Sequence, residues 1–207
     1  MIRRFLSVCT VSIVALAGCV SNPTATESVL ELEPIPATAS SVGDSLKFVD
    51  QVGGTEMVWT VTEINGDQVE YIDNEGCSWT TTRGDLIRPS LVWKNCGDGE
   101  WATGGTDAAK IKGTVWPMMV GNKVTYSQIF YNSKGGRSDK HYARKCKVAG
   151  TESIEIGEAA LDTYKVTCTQ NYSDKLKRTY WFAPGHGLVK RQTGSERKPT
   201  ENLVRVL

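Results

Sequence analysis

The sequence predicts an all-β, mainly antiparallel domain, built as a strongly curved sheet, a partly open barrel or a sandwich. Residues 163–172 alternate, with Tyr164, Val166 and Cys168 on one face, as expected of a half-buried strand. Two β-rich runs, 56–64 and 68–73, flank an Asn-Gly-Asp turn that is typical of a hairpin. No window of a dozen residues has helical periodicity.

The remaining elements follow the same reasoning. Further strands are predicted at 123–131, 141–148, 177–182, 187–192 and 201–206, separated by turns at 53–54, 104–105, 135–136 and 184–185. Residues 106–112 and 157–161 are expected to form short turns at most. Segments 42–48 and 120–126 share a pattern in which a turn enters a strand, and a double glycine follows each. This pattern indicates two similar β halves, although so short a match also arises by chance.

The first residues predict export from the cytoplasm. Basic residues in the first four positions precede a run of apolar and small residues, 5–17, that is too short to span a bilayer. The string Leu-Ala-Gly-Cys at 16–19 then resembles the lipobox of bacterial lipoproteins. The resemblance implies cleavage after Gly18 and attachment of diacylglycerol, with palmitate-type acyl chains, to Cys19. The alternative is an ordinary signal peptide with a chance cysteine.

These features divide the chain into three parts: a signal peptide (1–18), a lipidated flexible tether (19–41) rich in Ser, Thr, Pro and Ala, and one β domain (42–207). Val20 follows the lipid-bearing cysteine where the resemblance would require Asp for retention in the inner membrane. We therefore expect the outer membrane, with the domain facing the periplasm or exposed at the cell surface.

Four of the six cysteines remain once Cys9 leaves with the signal and Cys19 takes lipid. An even number in an oxidising compartment predicts two disulfides, and four cysteines allow three pairings. We favour Cys77 with Cys96 and Cys146 with Cys168, because neighbouring strands bring partners close in sequence together. The alternative is that the cysteines bind a metal. However, the sequence contains no Cys-x-x-Cys, and neither histidine has the spacing from the cysteines that metal ligands have. We therefore expect no metal and no cofactor.

Charge is distributed unevenly along the near-neutral chain. Residues 42–122 contain 6 Lys and Arg against 12 Asp and Glu, whereas residues 123–207 contain 16 against 8. The basic half predicts either a surface for an anionic ligand or charges that pair across neighbouring strands. The densest candidates for anionic-ligand binding are Lys140, Arg144, Lys145, Lys147, Lys175, Lys177 and Arg178.

Two motifs offer more specific hypotheses. Gly43-Asp44-Ser45-Leu46 resembles the signature of the GDSL lipase and esterase family, which would make Ser45 a nucleophile. The family's Asp-x-x-His and Gly-x-Asn-Asp strings are missing, and its fold alternates strands with helices. Residues 179–190, reading Thr-Tyr-Trp-Phe-Ala-Pro-Gly-His-Gly-Leu-Val-Lys, resemble the closing hairpin of uncharacterised extracytoplasmic β domains. That resemblance covers the C-terminal half and implies a fold but no activity.

Six tryptophans are many for this length, and they would fill the core or line a groove; Trp101 and Trp116 are expected to be exposed. The function that these observations favour is non-enzymatic: a lipid-anchored module that binds or carries a hydrophobic or anionic envelope ligand, such as a lipid or glycan, or a protein partner. Alternatives are a structural subunit of an envelope complex and the esterase. Nucleic acid is not expected as a partner in this compartment.

Overall fold

The computed structural model describes residues 31–37, 40–138, 142–171 and 176–207, although not the side chains at 108 and 109. In this part of the chain twelve antiparallel strands form one closed barrel. The strands are β1 (Ser45–Asp50), β2 (Glu56–Asn65), β3 (Gln68–Asp73), β4 (Ser78–Thr82), β5 (Val92–Lys94), β6 (Gly104–Thr114), β7 (Lys123–Asn132), β8 (Tyr142–Ile156), β9 (Ala159–Gln170), β10 (Lys177–Ala183), β11 (Gly187–Ser195) and β12 (Lys198–Arg205). The all-β antiparallel prediction is confirmed.

The barrel is closed, where the sequence favoured a curved sheet or a partly open barrel. Each strand pairs with its neighbour in sequence, and β1 pairs with β12 through Phe48 opposite Arg205. Closure removes the exposed sheet edges that an open sheet would carry. Period-two alternation then sends one face of every strand inward, so that Phe48, Tyr126 and Val166 are buried in the core.

The two ends of the barrel carry different connections. At one end lie the β1–β2, β3–β4 and β9–β10 connections and the disulfide between Cys77 and Cys96, and we call it the cysteine end. At the other lie the β2–β3, β6–β7 and β10–β11 connections. Residues 31–37 pack there, so we call it the tether end.

Two segments differ from the sequence-based assignment. Residues 106–112, expected as a turn, lie inside β6. Glycine opens this strand because Tyr131 packs so closely that a Cβ atom on Gly105 would collide with its phenol group. Residues 157 and 158 form a tight turn between β8 and β9, with Gly157 at a φ of +60°.

Part of the segment interpreted as a flexible tether is packed against the barrel. Ile35 is 5% exposed, belongs to the core, and pairs with Met118. The hydroxyl of Tyr164 donates to the Leu32 carbonyl oxygen at 2.6 Å. Leu32 and Ile35 are therefore docked on the domain. Residues 1–30, including the predicted signal and Cys19, lie outside the described residues.

An inner loop, residues 83–91, enters the barrel between β4 and β5 and divides its interior. Ile87 at the centre of this loop is fully buried. The carboxylate of Asp85 accepts hydrogen bonds from the backbone N–H of Ile87 at 3.2 Å and from the Tyr126 hydroxyl at 2.7 Å. Arg144 donates to the Ile87 carbonyl oxygen at 2.7 Å. The loop is thus fixed to the barrel wall by hydrogen bonds from two strands.

Two disulfides link neighbouring strands and loops. Cys146 and Cys168 lie directly opposite each other on β8 and β9, and Cys77 is bonded to Cys96 across the cysteine end. Both bonds are the pairing that the sequence favoured. No described segment forms a helix long and apolar enough to cross a membrane.

The tryptophans occupy several environments. Trp59 is buried in the core, and Trp181 is buried on the outer surface, where residues of β8 and β9 cover it. Trp116, expected to be exposed, packs edge to face against Phe182 with ring centroids 5.5 Å apart. Trp101 is 39% exposed, as expected from its loop position.

Candidate ligand-binding site

Four arginines converge inside the cysteine end of the barrel. Arg144 comes from β8, Arg178 from β10, Arg191 from β11 and Arg88 from the inner loop. They line a cavity of about 230 Å³ whose walls include Trp59, Trp79 and Tyr180. We call this set of seven residues the arginine pocket. A shallower cavity adjoins it past Cys77 and extends to Trp93 and Phe130.

The partners of Arg144 are uncharged. Besides the Ile87 carbonyl, its guanidinium donates to the side-chain oxygen of Gln170 at 3.3 Å. Among the described residues no carboxylate lies within ion-pair distance of Arg144. Its Nε is buried without a hydrogen-bond partner there, as is the amide nitrogen of Gln170. A buried charge with unused donors favours an anionic group as an additional partner.

Arg88 and Arg191 are held in different ways. The guanidinium of Arg88 donates to the Thr82 hydroxyl, and its Nε is buried without a partner in the described residues. Arg191 forms a bidentate pair with Glu201 at 2.8 and 3.1 Å and lies over the ring of Trp59, 4.7 Å from its centroid. Arg191 is therefore largely neutralised, whereas Arg88 is not.

In the described part of the chain, two carboxylates besides Glu201 lie near this cluster. Asp73 lines the cavity, but it already accepts hydrogen bonds from the backbone N–H groups of Glu75 and Cys77. The carboxylate of Asp85 already accepts hydrogen bonds from the inner loop and from the Tyr126 hydroxyl. Among the described residues, four guanidinium groups thus face three carboxylates, counting Glu201, and each of these carboxylates already accepts hydrogen bonds.

Tyr180 reports the positive field within the pocket. Complete burial opposes ionisation of its phenol and raises its pKa, but the guanidinium groups of Arg144, Arg178 and Arg191 outweigh burial. The net result is a pKa below the ordinary value for tyrosine. A site that favours a phenolate favours other anions for the same electrostatic reason.

The predicted anionic-ligand residues separate into two sets. Arg144 and Arg178 point into the arginine pocket. Lys145 and Lys147 are exposed on the outer surface of β8, and Lys177 lies on the outer surface of β10, 3.9 Å from Glu196. Lys140 and Lys175 lie outside the described residues. Strand alternation therefore divides the basic stretch between the inside and the outside of the barrel.

The outward-facing lysines form a surface on neighbouring strands. Lys123 lies opposite Lys147, and Thr125 separates Lys112 from Lys145 in the next row. None of these four lysines forms an ion pair with a described carboxylate. The lysine face consists of five exposed residues: Lys110, Lys112, Lys123, Lys145 and Lys147.

A second cavity, of about 310 Å³, lies at the tether end. Leu86 of the inner loop borders both cavities, so the loop is the partition between them. Ser45, Asp44 and His186 all line this second cavity. The hydroxyl of Ser45 is hydrogen-bonded to the Thr60 hydroxyl at 3.0 Å, on the outer face where the two residues pair. Arg205 donates to the backbone oxygen of His186.

Sequence reasoning missed Arg88 and Arg191. Arg88 lies on a loop, where no periodicity indicates direction. Leu188 and Arg191 both point inward, although residues three apart on a regular strand point to opposite faces. A β-bulge opposite Trp181 and Phe182 adds one residue to β11 and so reverses the alternation. An alternation counted from Leu188 would place Arg191 on the outside.

Comparison with known proteins adds little. No family model matches the chain, and no curated protein matches it. The crystal structure of the hypothetical lipoprotein YmcC from Escherichia coli (K12) is similar over 79% of this chain and 83% of its own, with 9% identity and a TM-score of 0.46. Similarity at this level supports no statement about function.

Proposed function

We propose that this chain is an outer-membrane lipoprotein, anchored through Cys19, whose barrel binds an amphipathic anionic envelope ligand without catalysing a reaction. The observation that carries the proposal is the arginine pocket. Arg88 and Arg144 supply charge with unused donors, and Trp59 and Trp79 supply apolar walls beside them. A ligand with an acidic group and an apolar portion would use both parts of the site.

The anchoring is tested on the processed chain. Mass spectrometry of the purified protein is expected to show a chain that begins at Cys19 and carries acyl groups. Replacing Cys19 with Ala should abolish acylation and leave the signal peptide attached. An unmodified wild-type chain cut elsewhere would contradict the anchoring.

The binding is tested by what the protein retains. After purification in mild detergent, native mass spectrometry of the wild-type chain is expected to show a bound small molecule. The double variant R88Q/R178Q should lose that molecule because it removes two of the four positive charges. A matched double variant on the outer surface, K110Q/K177Q, should keep it. Retention by both variants would exclude the arginine pocket as the site.

The absence of catalysis is tested through Ser45. We expect any hydrolysis of short-chain esters by the purified protein to be unchanged in the variant S45A. Loss of hydrolysis in S45A, with an intact fold, would instead support the esterase hypothesis.

A further inference from the structure

The point at which the N-terminal segment reaches the barrel carries an exposed apolar turn. Residues 31–34 lie beside Met119, Val120 and Tyr164, and together they border a surface cavity. Met119 is 50% exposed and Val120 is 45% exposed. The turn is fixed by a hydrogen bond from the Asn122 N–H to the Met119 carbonyl oxygen at 3.1 Å. It therefore holds two apolar side chains toward solvent at a defined position.

Basic residues border this turn on the side of β7 and β8. The N–H of Gly121 donates to the carbonyl oxygen of Val148 at 2.9 Å, which places the turn against β8. Lys123 follows the turn directly and lies opposite Lys147, so two like charges are cross-strand neighbours. Such a pair is unfavourable unless an anionic surface meets it. Two exposed carboxylates, Glu31 and Glu33, line the same surface cavity as Met119 and Val120.

We propose that the Met119–Val120 turn enters the interface of a phospholipid bilayer, with Lys123 and Lys147 in contact with anionic head groups. The proposal rests on the proposed anchoring at Cys19. The chain between Cys19 and Glu31 can extend about 40 Å at most, so the tether end lies within that distance of the membrane and can reach it. Exposed apolar side chains beside cations are the combination that an anionic membrane surface attracts.

This contact gives the barrel an orientation. The turn lies at the tether end, whereas the arginine pocket lies at the cysteine end. With the tether end on the bilayer, the pocket faces away from the anchoring membrane. A ligand would then reach the pocket from the aqueous side.

Hydrogen exchange of the complete lipidated protein tests the contact. The protein is reconstituted into vesicles of phosphatidylethanolamine with phosphatidylglycerol, and exchange of backbone amides is compared with the protein in detergent. Amides at 119 and 120 are expected to exchange about tenfold more slowly in vesicles. The exposed turn around Val52, at the cysteine end, should not change, and vesicles without phosphatidylglycerol should give less protection at 119 and 120.

Two variants with matched controls complete the test. M119S/V120S and K123Q/K147Q should each lose most of the protection, whereas V52S and K94Q/K198Q should keep it. A protein that does not float with the vesicles overturns the anchoring and this proposal together. A protein that floats but shows unchanged exchange at 119 and 120 overturns this proposal alone, as does protection that the lysine variant leaves intact.

Discussion

The arginine pocket and the lysine face come from the same stretch of sequence but are built for different environments. Arg144 and Lys145 are adjacent on β8, yet one is 7% exposed and the other lies on the outer surface. A guanidinium group offers several planar donors and is weakly hydrated, so it can be buried against the Ile87 carbonyl and Gln170. An ammonium group is strongly hydrated and remains outside.

All four cations that line the pocket are arginines, whereas the outer surface carries lysines and also arginines such as Arg137. Inside, cations are fixed by hydrogen bonds and surrounded by aromatic walls, which suits a single small ligand. Outside, Lys123 lies directly opposite Lys147, and Thr125 separates Lys112 from Lys145. That arrangement suits an extended anionic surface.

The largest expected difference between the two regions is in stability. Replacing Arg144 with Met should lower the free energy of unfolding by about 3 kcal/mol, because the Ile87 carbonyl and Gln170 lose a charged donor. Replacing its neighbour Lys145 with Met should change it by less than about 0.5 kcal/mol. Urea unfolding of both variants measures this, and equal losses would show that the two sites do not differ as described.

The second prediction concerns a variant that makes the arginine pocket more positive. Glu201 neutralises Arg191, and the variant E201Q keeps the shape of the side chain while removing its charge. We expect about fivefold tighter binding of octyl phosphate, a single-chain anionic probe, corresponding to about 1 kcal/mol. Isothermal titration calorimetry gives the affinity. An outer-surface control, E56Q, removes a carboxylate paired with Lys47 and should leave binding unchanged.

The third prediction concerns Tyr180. The variant R178Q should raise the pKa of Tyr180, because one of the three guanidinium groups that lower it is lost. In the wild type the folded-state pKa is below the unfolded value, so ionisation of Tyr180 favours the folded state in alkaline solution. That contribution disappears as pH falls through the folded-state pKa. Tyrosine ring resonances followed by NMR against pH measure the shift, and K177Q should not alter it.

The smallest effect is expected at an outer ion pair. A hydrogen bond from Lys165 lowers the pKa of Glu196, and so do the positive charges of Lys165 and Lys177. Its contribution to stability is therefore present at neutral pH and is lost as pH falls through the folded-state pKa. Because Glu196 is largely exposed, E196Q should cost only a few tenths of a kcal/mol. A loss above about 1 kcal/mol in urea unfolding would mean that outer charges contribute as much as inner ones.

Local patterns predicted most of the strands but not the closure of the barrel. β3 has the predicted bounds, and the hairpin turn lies at Gly66 and Asp67, within the predicted Asn-Gly-Asp turn. Closure depends on β1 meeting β12, a contact between residues more than 150 positions apart, which no local pattern reveals. The double glycine at 104 and 105 indicated a turn, whereas it serves close packing against Tyr131 inside a strand.

The candidate site was predicted only in part. The sequence singled out Arg144 and Arg178 by charge density, but it could not say which basic residues point inward. Arg88 reaches the pocket because the inner loop turns into the barrel, and Arg191 because a bulge changes the alternation of β11. Both depend on tertiary structure rather than on local sequence.

Titration of octyl phosphate into three proteins tests whether the arginine pocket binds an anionic ligand: the wild type, R88Q/R178Q and K145Q/K147Q. Octanol and octyl trimethylammonium serve as neutral and cationic probes. We expect the wild type and the lysine variant to bind octyl phosphate equally. The arginine variant should bind it at least tenfold more weakly, and the other probes should bind poorly. Binding that survives in R88Q/R178Q and is lost in K145Q/K147Q would contradict binding in the arginine pocket.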